Sequence, residues 1–79
     1  MERIVDARGL KCPMPIVKAK RELANCAVDD TLKVLATDRG SVLDFQGWAR
    51  QNTSFRLLEQ REEHDELGRD VFVHVLQKV

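Results

Sequence analysis

Aromatic side chains are scarce: the 79 residues hold no tyrosine, one tryptophan and three phenylalanines. A platform that stacks nucleic-acid bases on aromatics within a basic groove is therefore disfavoured. Net charge is missing too, because thirteen Lys and Arg balance thirteen Asp and Glu. Electrostatics thus argue for neither nucleic acid nor a membrane surface. No apolar run approaches the roughly 20 residues of a membrane-spanning helix. No signal-peptide pattern opens the sequence, which predicts a cytoplasmic location where thiols stay reduced. The chain is short, and a chain of this size buries only about 60% of the surface its unfolded form exposes. One domain over residues 1–79 with a thin core is expected, and its chemistry is expected at the surface.

Cysteine is also sparse. Cys12 and Cys26, with His64 and His74, do not fall at any zinc-ligand spacing, so neither a metal nor a resident cofactor is expected. A helix from residue 13 to 25 separates the two cysteines by roughly 18 Å, well beyond the about 7 Å that a disulfide tolerates. Cys26 reads as a structural residue, and without a nearby second cysteine a dithiol redox switch is disfavoured.

What is present is a clear order of elements. Arg3–Val5 reads as a short strand, followed by a turn at Asp6–Gly9. A helix from Pro13 to about Asn25 places Ile16, Val17, Ala19, Leu23 and Ala24 on one face. Thr31–Thr37 alternates as a strand with Leu32, Val34 and Ala36 inward. Asp38 or Ser41 is expected to cap a second helix ending near Asn52, Ser41 with Asp44 resembling a capping box. Ser54–Gln60 and Val71–Gln77 read as two strands of a hairpin, with Glu62, Glu63, Asp65 and Glu66 in a solvated loop between them. The order β-α-β-α-β-β predicts a two-layer α/β sandwich: a four-stranded mixed sheet with two helices on one face, the first two strands parallel. The last strand is apolar on both faces, so one set is expected to lack helix cover and to offer a partner or self-association surface. His74 is expected on that open side, His64 in solvent, and Trp48 between helix and sheet.

The most informative stretch is Cys12-Pro13-Met14-Pro15. Two prolines break a helix interior but are tolerated in its first turn, where the N–H groups have no intrahelical partner. Pro13 then takes the first helical position, Pro15 the third, and Cys12 the N-cap. A thiolate there faces free N–H groups and the positive end of the helix dipole, which predicts a lowered thiol pKa and a reactive nucleophile. Arg8, Lys11 and Lys18 add positive potential, residues 1–25 carrying six basic against three acidic side chains. Cys12 follows the first strand by a short turn, at the sheet edge where α/β chemistry gathers.

Asp6-Ala7-Arg8-Gly9-Leu10-Lys11-Cys12-Pro13-Met14-Pro15, followed by Ala36-Thr37-Asp38 and Asp44…Trp48, resembles the TusA/SirA-like sulfur-carrier family over essentially the whole chain. The resemblance implies the same sandwich, with a transient persulfide carried by the cysteine of C-P-x-P, here Cys12. Independently of the resemblance, the helix N-terminus and local positive potential give Arg8, Gly9, Lys11, Pro13, Met14, Pro15 and Lys18 expected supporting roles. The resemblance also implies a donor, a cysteine desulfurase or rhodanese-like protein, and an acceptor protein in tRNA thiolation, molybdenum-cofactor synthesis or sulfur oxidation. The chain departs from the family at Arg39, where Pro is common, at Asn52-Thr53-Ser54, where many members have Gly-His, and at Asp29-Asp30, where many have Gly. The alternative reading is a small nucleic-acid-binding or regulatory module without thiol chemistry.

Overall fold

The computed structural model describes residues 1–79. The elements run β1 (Glu2–Ala7), α1 (Met14–Leu23), β2 (Thr31–Ala36), α2 (Ser41–Gln51), β3 (Phe55–His64) and β4 (Asp70–Lys78). They form one four-stranded mixed sheet in the order β1-β2-β4-β3 with two helices, as the sequence pattern predicts. β1 and β2 are parallel, with Val5 opposite Val34 and Ala7 opposite Ala36. Both other pairings are antiparallel.

Alternation along β2 buries Leu32, Val34 and Ala36 against the helices and leaves Thr31, Lys33 and Leu35 half-covered. α1 answers with Pro15, Ala19 and Leu23, spaced four apart and therefore on one stripe. Phe45 of α2, Phe55 of β3 and Leu76 of β4 complete the core, with Trp48 and Leu57 packed on its margin. Each of the larger side chains, fully buried, contributes about 1.5–3 kcal/mol. Trp48 lies where the sequence puts it, between helix and sheet, its ring 4.3 Å from that of Phe55 and 5.8 Å from that of Phe45.

Three expectations need correction. β3 and β4 are longer than predicted, so Glu62 and Glu63 sit in a strand and the loop is only residues 65–69. Asp65 organises that loop, its Oδ1 accepting the N–H groups of Leu67 and Arg69, each at 2.9 Å. His64 ends a strand and stays exposed to solvent as expected, its Nε2 3.1 Å from Asp70.

His74 faces the helices, not the open side. Its register partner is Val34, an inward residue, so the inward set of β4 is Phe72, His74 and Leu76. The imidazole is fully buried and stacks on Phe45 at 4.3 Å. It is satisfied by Ser41 Oγ at 2.9 Å on Nε2 and by Gln60 Nε2 at 3.1 Å on Nδ1. The Gln60 amide also donates to the Val42 carbonyl, which fixes its nitrogen on this side. Nδ1 is therefore the acceptor, and Nε2–H donates to Ser41. Burial pushes the His74 pKa down to about 4.

The outward set of β4 does not form an exposed apolar patch. Val71 and Val73 are buried, and their register neighbours on β3 are Glu63 and Arg61. Arg61 pairs with both Glu59 and Glu63. The stems of long charged side chains shield apolar atoms while their heads stay in water, so this face is charged where the sequence predicts it apolar.

The turn before β2 shows how one departure from the family pattern is accommodated. Asp29 adopts φ 75°, the left-handed conformation that Gly otherwise supplies and that Asp tolerates better than most residues. Its N–H donates to the Lys78 carbonyl at 2.8 Å, tying the turn to the end of β4.

Candidate functional site

Two loops leave the carboxyl ends of the parallel strands β1 and β2 side by side, and Cys12 lies where they meet. After β1, Gly9 takes φ 83° and its N–H donates to Thr37 Oγ1 at 2.8 Å, so the turn closes onto the second loop. A side chain at Gly9 would meet nothing, so its requirement is conformational rather than steric. The Cys12 N–H then donates to Asp38 Oδ2 at 2.9 Å. Asp38 Oδ1 in turn accepts the Gly40 N–H at 3.3 Å. Residues 9–12 of one loop and Thr37, Asp38 and Arg39 of the other line an open hollow of about 360 Å³.

The thiol is free and exposed. Cys12 is not the N-cap of α1, however. The first intrahelical bond runs from the Val17 N–H to the Pro13 carbonyl at 3.1 Å, which makes Pro13 the cap and Met14 the first helical residue. A turn closed by the Met14 N–H on the Lys11 carbonyl at 2.9 Å precedes it, and the Cys12–Pro13 peptide is cis. Pro15 therefore stands at the second helical position, still within the turn that tolerates proline.

The thiol's electrostatics reverse the expectation. Its pKa is raised, first by the nearby Asp44 carboxylate, then by loss of water and by the negative charge of Asp38. The basic residues are committed elsewhere. Arg8 donates from Nε to Asp6 Oδ1 and from a terminal nitrogen to Oδ2, both at 2.9 Å, which pulls the Asp6 carboxyl down to about 2. Lys18 Nζ donates to the Asp6 carbonyl at 3.2 Å. Of the basic residues expected to support the thiol, only Lys11 lines the hollow.

Asp38, Thr37 and Asp44 thus belong to the candidate site although sequence reasoning gave them other work. Ser41 does not cap α2. Gly40 is the N-cap, and the Ser41 hydroxyl is taken by buried His74. A signal was available: residues 36–38 follow β2 as residues 7–12 follow β1, and parallel neighbours deliver both loops to the same edge. Cys26 plays no part, being buried with its Sγ donating to the Glu22 carbonyl at 3.4 Å. The structure contains no group of three or more metal-ligating side chains, and no helix is long and apolar enough to cross a membrane.

An exposed cysteine held between two βα loops of a two-layer sandwich defines a surface thiol protein rather than an enzyme with an enclosed pocket. The family model for the sulfurtransferase TusA matches residues 3–78. A putative sulfur carrier protein of Halobacterium salinarum is 40% identical over 74 residues, covering 94% of this chain and 85% of that one. The sulfur carrier protein TusA of Allochromatium vinosum is 48% identical over 59 residues, covering 75% of this chain and 76% of that one. The putative sulfur carrier protein YrkI of Bacillus subtilis is 39% identical over 64 residues, 81% of this chain and 84% of its own length. The chain belongs to the TusA family, whose members' names support a sulfur-carrier role.

Proposed function

We propose that Cys12 is the residue that carries sulfur, accepting the terminal sulfur of a donor protein's persulfide and passing it to an acceptor protein. The observation that supports this most directly is the free, exposed thiol of Cys12 at the hollow where the two loops meet. Cys26, the other thiol, is buried and bonded to its own helix. An open thiol suits a relay, because both transfers require the sulfur of another protein to reach it.

In loading, the Cys12 sulfur attacks the terminal sulfur of the donor persulfide. A new S–S bond forms on Cys12, and the donor's cysteine sulfur leaves. The residue then bears a persulfide, and no resident cofactor or metal takes part. Gly9, Leu10 and Lys11 shape the approach, while Pro13 and Pro15 stiffen the segment that presents the sulfur. Lys11, which forms no salt bridge, offers a positive charge at the hollow. A cysteine desulfurase or a rhodanese-like protein fits as donor. The acceptor belongs to tRNA thiolation, molybdenum-cofactor synthesis or sulfur oxidation, in the cytoplasm, and the chain works as a carrier in a relay rather than as a stand-alone enzyme.

The test is mass spectrometry after mixing with a cysteine desulfurase and cysteine. The wild-type chain gains the mass of one sulfur atom, and Cys12→Ser gains none. An adduct that persists in Cys12→Ser, or its absence from the wild type with both donor classes, defeats the reading.

A further inference from the structure

The segment that bears the thiol is held from outside at both of its ends. Thr37 Oγ1 accepts the Gly9 N–H at 2.8 Å, and Asp38 Oδ2 accepts the Cys12 N–H at 2.9 Å. No other hydrogen bond ties residues 9–12 to a distant part of the chain, since the Leu10 N–H only turns back to Ala7. Leu10 packs against the core between the two ties. The turn is thus fixed at each end and at its apolar middle, while Lys11 and Cys12 stay exposed at the hollow.

The two acceptors are themselves anchored. They follow directly from β2, whose last residue, Ala36, is fully buried opposite Ala7. Asp38 Oδ1 accepts the Gly40 N–H at 3.3 Å, and the Asp38 carbonyl accepts the Ser41 N–H at 3.0 Å. Both carboxylate oxygens are therefore spent on backbone N–H groups. Ser41 in turn is fastened through its hydroxyl to buried His74. A continuous run of bonded groups leads from the buried imidazole to the N–H of the residue that bears the sulfur.

We propose that Thr37 and Asp38 are positioning residues for sulfur transfer, holding the main chain of Gly9 and Cys12 so that the sulfur meets a donor persulfide along a fixed line. Cysteine has one torsion between its backbone and its sulfur, so a held main chain confines the sulfur to a few staggered positions. Exchange between sulfurs needs the reacting atoms about 3–3.5 Å apart and aligned, and a misplacement of about 1 Å can cost about 100-fold. This assignment rests on the carrier role proposed for Cys12.

Two measurements on the full chain test it. One is loading by a cysteine desulfurase supplied with cysteine, followed by mass at rising carrier concentration to separate kcat from KM. The other is alkylation of Cys12 by iodoacetamide at pH 7. Thr37→Val keeps the shape of the side chain but removes the acceptor. Its kcat falls about 10-fold at unchanged KM, and Thr37→Ser, which keeps the hydroxyl, restores most of the loss. Asp38→Asn has one oxygen for two N–H groups, and its kcat falls about 100-fold. Alkylation is not slowed in either variant, because a small reagent needs no fixed line of approach. An unchanged kcat in Thr37→Val or in Asp38→Asn would overturn the assignment for that residue. A raised KM with kcat intact would also overturn it, since the residues would then serve docking of the donor. A parallel fall of loading and alkylation would do the same, because the loop would have closed over the thiol. A wild type that does not load at all would instead strike the carrier role itself.

Discussion

His74 makes folding stability depend on pH between its folded and unfolded pKa values. In the unfolded chain the imidazole has its ordinary pKa of 6.5, and in the folded chain burial lowers it to about 4. Between those values the unfolded state binds a proton that the native state refuses. Stability therefore rises with pH across this window, by about 1.4 kcal/mol per pH unit, and is fully present above it. At pH 5 the loss attributable to His74 is about 2 kcal/mol, approaching about 3 kcal/mol near pH 4. That is a large part of the total, because a domain of this size is stable by only about 4–12 kcal/mol. Protonation costs so much because Nδ1 accepts from the Gln60 amide, whose other bond to the Val42 carbonyl prevents it from turning its oxygen toward a charged ring. Urea unfolding of wild type and His74→Gln at pH 8 and pH 5 measures the effect. The variant is less stable at pH 8, and the wild type loses about 2 kcal/mol more than the variant on moving to pH 5. Equal losses within about 0.5 kcal/mol would refute the reasoning, as would a ring titration by NMR centred at the ordinary histidine value in the folded state.

Other substitutions probe the same frame. Phe45→Ala removes a fully buried ring stacked on His74 and edge-on to Trp48. It is expected to cost about 3–5 kcal/mol, read as a lower urea midpoint at unchanged slope. Gly9→Ala meets no steric obstacle and is strained only by its positive φ. A loss of about 1–2 kcal/mol in the same measurement is expected, and unchanged stability would contradict it.

The element order and the inward face of β2 were legible in the sequence because local rules decide them. Period-2 alternation marks Leu32, Val34 and Ala36, and a proline pair can only open a helix. β4 defeated the same method. Its apolar residues occupy both faces, so the pattern carries no information about which face turns inward, and only the pairing of His74 with Val34 settles it. Ser41-x-x-Asp44 satisfies the local template of a capping box, yet the hydroxyl goes to an imidazole 33 residues away. A buried Nε2–H without an acceptor costs about 1–3 kcal/mol, whereas an exposed cap contributes about 1. The buried partner wins.

The same contest between local and distant effects decides the thiol. A helix terminus favours an adjacent anion by about 0.3–1 kcal/mol, and that influence fades within the first turn. Cys12 lies one residue outside the cap, so it receives the weak edge of the effect. Asp38 and Asp44 come from another loop and helix, brought close because β1 and β2 run parallel in register and release their loops at one edge. Carboxylates this near outweigh the remote dipole of a helix end, and the pKa moves upward. Nothing within residues 8–18 encodes this, since the deciding charges lie 26 and 32 positions further along the chain. A cysteine before a proline-opened helix is therefore not by itself an activated thiolate. Its ionisation is set by whatever the neighbouring parallel strand delivers to the same edge, and here that is two carboxylates.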